Sequence, residues 1–103
     1  MKVFISVPMK GRSKNEIERD IDYAKKMITL SYSDEEIEFI NTMVQDKPPY
    51  KTSNQAIWYL GKAIELLSQC DMLVCFRGAE NIYSGCFIEK EVAQRYGLKV
   101  VEV

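Results

Sequence analysis

The chain has 103 residues, 47% of them apolar and 28% charged, and a net charge of −1. That length supports one hydrophobic core, read as a single domain over 1–103, and the near-neutral charge without a basic stripe argues against a nucleic-acid polymer as partner. Histidine is absent, which removes Ser-His-Asp and Cys-His catalysis and the common zinc sites and leaves acid–base work to carboxylates, Tyr or Lys.

Residues 2–7, Lys-Val-Phe-Ile-Ser-Val, form a short β-branched run that predicts a buried strand. The run breaks at Pro8 and is too short for a signal peptide or a membrane span. A loop follows over 8–12. Ser13-Lys14-Asn15-Glu16 then has the spacing of a capping box, and Ile17, Ile21, Ala24 and Ile28 repeat at helical spacing, so a helix is expected over 13–30. Residues 36–40 are a weaker strand. Residues 41–53 lack a period and contain Pro48-Pro49, which predicts a long loop of the kind that forms lids.

Thr52-Ser53-Asn54-Gln55 offers a second capping box. Ile57, Leu60, Ile64 and Leu67 form the apolar stripe of a helix over 54–69. Residues 71–76 read as a central strand and 77–83 as a polar loop. A helix over 84–97 is closed by Gly97, and the last strand covers 98–103. The alternation β-α-β-α-β-α-β predicts a four-stranded parallel sheet, ordered 2-1-3-4, with helices on both faces. Cys70, Cys75 and Cys86 lack Cys-x-x-Cys spacing, and their odd number fits a reducing, cytoplasmic compartment. Cys70 and Cys75 are expected as packing residues; Cys86 opens a helix, where a thiolate would be favoured.

Wound as a helix, residues 84–97 place Gly85, Ile88, Val92, Ala93 and Tyr96 on one face and Lys90, Glu91, Gln94 and Arg95 on the other. Glu89 falls inside the apolar arc, in the second turn and close to the helix N-terminus. It is either a partner of the macrodipole or a functional carboxylate. Ligands of parallel sheets bind beyond the strands' carboxyl ends, where two loops would meet. One carries Pro8, Met9, Lys10, Gly11 and Arg12; the other leads through Tyr83 into Ser84 and Gly85. Lys10 and Arg12, beside free helix N–H groups, would suit a monophosphate, or would simply solvate a turn. Tyr50 could stack a base at the lid, and Trp58 is a base-stacking, core or dimer-interface residue. Glu65 and Glu80 are expected in solvent.

Phe4-Ile5-Ser6-Val7-Pro8-Met9 with Gly11 is similar to the first strand and loop of nucleoside 2-deoxyribosyltransferase-like proteins. Cys70-Asp71 before an apolar strand, and Ser84-Gly85-Cys86-Phe87-Ile88-Glu89 with Ala93 and Tyr96-Gly97, resembles their nucleophile segment. The likeness is nearest to the short phage and bacterial members of that group, a family of unknown function. It implies a flavodoxin/Rossmann-like three-layer sandwich, a homodimer or larger homo-oligomer, and no metal or organic cofactor. It also implies a nucleoside or nucleoside monophosphate as ligand. Glu89 then corresponds to the nucleophile that attacks an anomeric carbon, with Ser6, Pro8 to Arg12 and Tyr83 to Gly85 around the substrate.

The chain departs from that pattern at three positions. Active relatives carry an aspartate where Ala63 stands, several carry another where Tyr83 stands, and a glycine is usual in place of Val7. The expected activity is N-glycosidic cleavage or base exchange. The alternative is a non-catalytic nucleotide-binding or assembly protein on a degenerate version of the fold.

Overall fold

A computed structural model describes residues 1–42 and 47–103. In chain order the elements are β1 (Lys2–Ser6), α1 (Lys14–Ser31), β2 (Glu38–Ile40), α2 (Gln55–Leu67), β3 (Met72–Cys75), α3 (Ser84–Arg95) and β4 (Lys99–Glu102), with a single 3-10 turn at Ala79–Asn81 before α3. The four strands form one all-parallel sheet in the order β2-β1-β3-β4, as the alternation of elements predicts. Part of the 41–53 loop, residues 43–46, lies outside the described residues.

The period of two along β1 divides the core into its two layers. Val3, Ile5 and Val7 face Ile17, Ala24 and Ile28 of α1, together with Met72 and Val74. Phe4 faces the other way and packs with Leu67, Leu73, Cys75 and Ala93, beneath α2 and α3. β1 and β3 are therefore covered on both faces, which is why both read as unbroken apolar runs. At the other end of the sheet the Asp71 carboxylate accepts the Lys2 N–H at 2.8 Å, tying the start of β1 to the start of β3.

The helix ends follow local chemistry. Ser13 and Glu16 make the reciprocal capping box expected of them. The second box does not form. Asn54 is the cap, accepting from the Ile57 N–H at 3.1 Å, and the Thr52 hydroxyl bonds to the Asn54 backbone instead. α3 closes as a Schellman motif: Gly97 takes φ 79°, the Leu98 N–H reaches the Ala93 carbonyl at 2.9 Å, and the Gly97 N–H points to that of Gln94.

Two expectations about helix faces are corrected. Ile57 stands 66% exposed, outside the buried stripe of α2. The inward arc of α3 runs through Cys86, Glu89, Lys90 and Ala93, while Ile88 and Tyr96 face outward, Tyr96 at 83% exposure. Lys90, expected in solvent, is 15% exposed, because Glu80 and Glu102 receive its ammonium at 3.1 and 2.9 Å. Glu80 is correspondingly drawn out of solvent, and its Oε2 is buried without a hydrogen-bond partner. Backbone N–H groups at the 3-10 turn and the Lys90 ammonium together compensate that carboxylate and lower its pKa. Lys90→Met should cost about 1–3 kcal/mol, and Glu80→Gln added to it should recover part of the loss. Urea denaturation of the two variants against the parent checks both.

Candidate functional site

β1 ends at Ser6, which shares the α2/α3 side of the sheet with Phe4 and is 1% exposed. A hydroxyl buried this deeply needs a partner. It donates to Glu89 Oε1 at 2.6 Å. A central strand and the second turn of α3 thus meet through one short hydrogen bond to a carboxylate.

That carboxylate lies in the wall of a cavity of about 290 Å³ beyond the carboxyl end of β1. Val7, Pro8, Met9 and Lys10 form one side of it, and Thr42, which follows β2, stands beside them. α2 contributes Ala56, Tyr59, Leu60 and Ala63; Tyr83, Gly85 and Cys86 complete the lining at the start of α3. No side chain caps that helix start, and no atom lies within 4 Å of where a Gly85 Cβ would stand, so this wall is bare backbone beside open space.

The electrostatics of Glu89 are those of an isolated buried acid. Among the described residues no Lys or Arg forms an ion pair with it. Burial pushes its pKa up to about 7, and the Ser6 hydrogen bond pulls the other way without offsetting it. A carboxyl poised there can be ionised or protonated near neutral pH, the property required of groups that attack or transfer protons. Cys86 behaves oppositely to the expectation of a helix-stabilised thiolate: burial raises its pKa, as it does for Cys70 and Cys75, both pushed to about 11.

Several residues singled out from sequence converge here. Ser6 holds Glu89, and Pro8, Met9, Lys10, Tyr83 and Gly85 line the cavity. Gly11, Arg12 and Ser84 do not. Gly11 takes φ 75° in a turn closed by the Arg12 N–H on the Met9 carbonyl. Arg12 is drawn to Asp20 and also donates to the Pro8 carbonyl at 3.3 Å. Its guanidinium therefore braces the loop. Ser84 lines a separate shallow groove with Ile82, Phe87 and Ile88. Tyr50 and Trp58 likewise line a different groove, with Ile57 and Gly61.

Sequence reasoning missed Thr42, Ala56, Tyr59 and Leu60. The spacing 56, 59, 60, 63 is one helical face, so the signal for α2 was present one residue away from Trp58. Comparison with protein-family models, with curated proteins and with solved structures finds no match.

A carboxyl whose folded pKa of about 7 lies above the ordinary 4.5 binds more protons folded than unfolded between those values. Stability must therefore fall as pH rises through that window, and the loss is complete above about pH 7. Glu89→Gln should be more stable than the parent by about 2–3 kcal/mol at pH 8, and the gain should shrink toward zero near pH 4. Denaturant titrations at both pH values check the sign.

Proposed function

We propose that the protein cleaves, or exchanges the base at, the N-glycosidic bond of a nucleoside or nucleotide, with Glu89 as nucleophile. The observation that carries this reading is the Glu89 carboxylate, held by Ser6 in the wall of a cavity at the carboxyl end of β1. Attack on the anomeric carbon breaks the C–N bond, and the electron pair leaves with the base, which must gain a proton. The covalent ester then yields its sugar to water or to a second base. The carboxylate stabilises the cationic character that develops at the sugar, and the low polarity around it strengthens that attraction.

A second reading has an observation of its own. Ala63 lines the same cavity, and Glu89 is the only carboxylate among the described lining residues. A site without a placed acid lacks a contribution worth roughly 10²–10⁴ in rate, which favours slow catalysis or plain nucleotide binding. The homo-oligomer implied by the family resemblance belongs to either reading.

Incubation with a panel of nucleosides and their 5′-monophosphates, followed by chromatography, should reveal free base. Glu89→Ala should abolish its release while the far-ultraviolet circular dichroism stays unchanged. Undiminished release by the variant would remove the nucleophile assignment.

Phosphate recognition rests on Lys10 rather than on Arg12, since only Lys10 borders the cavity and Arg12 is engaged with Asp20. With the uncapped N–H groups of α3, Lys10 should favour a 5′-monophosphate over its nucleoside by about tenfold, or 1.4 kcal/mol. Calorimetry of both ligands measures the gap, and Lys10→Ala should close it. Equal affinities in the parent protein would count against phosphate recognition.

A further inference from the structure

We infer that the cavity is a receptor for an organic monocation, a protonated cyclic amine whose charge sits against the Glu89 carboxylate between aromatic walls. The inference rests on the cavity assigned above and goes beyond bond cleavage. It holds whether or not the protein turns over a substrate.

The argument begins with what Glu89 lacks. A buried carboxylate is ordinarily compensated by a cation or by several donors. Among the described residues Glu89 accepts a hydrogen bond from Ser6 at 2.6 Å and forms no ion pair. The neighbouring inward carboxylate Glu80, by contrast, has a cation: it receives Lys90 on Oε1 at 3.1 Å. Glu89, only one residue before Lys90, is left facing open space instead. An uncompensated acid beside a cavity of about 290 Å³ is short of a positive charge that only a ligand or a proton can supply.

The walls favour a flat or cyclic cation over a metal ion. Tyr59 and Tyr83 bring two aromatic rings to the lining, and Leu60, Ala63 and Val7 are apolar. Rings attract cations through their faces, and apolar walls accept methylene groups that a hydrated ion does not offer. The cavity has space for a five-membered ring with substituents. Lys10, on the same lining, gives the site a polarity, so the cationic end belongs at Glu89 and any neutral or anionic end beside Lys10.

The titratable groups around Glu89 are Cys86 on its own helix, Cys75 beside Ser6 in the sheet, Tyr59 on α2, Tyr83 before α3, and Lys10. Burial raises both thiols, which remain protonated at neutral pH. Below about pH 7 the incoming cation must displace the proton of Glu89. Affinity should therefore rise about tenfold between pH 6 and pH 8, with proton release at the lower pH.

The test uses two isosteres, 3-hydroxypyrrolidine, protonated throughout that range, and neutral 3-hydroxytetrahydrofuran. Each is titrated into the protein and followed by NMR chemical shifts. The amine should shift resonances of β1 and the start of α3, and should bind at least about tenfold more tightly than the ether. Glu89→Gln should erase the preference, and Ser6→Ala, which keeps the carboxylate, should retain it; thermal melts verify that both variants fold. Equal binding of the two compounds overturns the inference, as does a preference that survives Glu89→Gln, or no response to either compound. The catalytic reading fails separately: cation preference without base release leaves this inference standing, and base release without cation preference removes this inference alone.

Discussion

Strand β1 is hydrogen-bonded to a neighbour on each side and covered by helices on each face, and the site depends on that enclosure. The ladder with β3 continues to the end of the strand, where Ser6 pairs with Cys75, and this sets the Ser6 side chain and its hydroxyl on the α2/α3 side of the sheet. Glu89 must come to that hydroxyl, because α3 packs directly over β3 through Ala93. The resulting hydrogen bond joins a central strand of the sheet to a helix whose start has no side-chain cap. Its chemical consequence is a carboxyl removed from water yet bordering a cavity, and both its raised pKa and its shortage of positive charge follow from that position.

The sheet was legible in the sequence because parallel strands buried on both faces leave an unmistakable signature. Residues 2–7 and 71–76 are apolar runs too short for helices, and helical periodicity separates them. Strand β2 was the weakest because it is an edge strand of three residues, Glu38–Ile40, with only partial burial. The family resemblance supplied Glu89 with a role, and the helical wheel alone gave it an inward position.

The wheel failed on its neighbour. Charge alone puts Lys90 on the outer face of α3. The true inward arc lies rotated toward Cys86 and Lys90, at the cost of exposing Ile88 and Tyr96. Two carboxylates from distant segments, Glu80 and Glu102, make that rotation tolerable. Pairing across the chain is information a local periodicity does not contain. The same limit hid Arg12, whose cationic chemistry suggested phosphate but whose partner, Asp20, comes from the second turn of α1. Cavity residues on α2 were harder still, since Tyr59 differs from Trp58 only by a rotation about the helix axis.

The pairing of β1 with β3 has a consequence for the birth of the chain. Val3, Phe4 and Ile5 are synthesised well before the strand that shields one of their edges, Met72–Cys75, which lies about seventy residues later. The neighbour made sooner, β2, offers only three residues of ladder. A contact this distant must wait for loop closure and for translation. Until then the nascent polypeptide carries an apolar, β-prone segment with an open edge, the kind of surface that chaperones recognise and that self-association exploits.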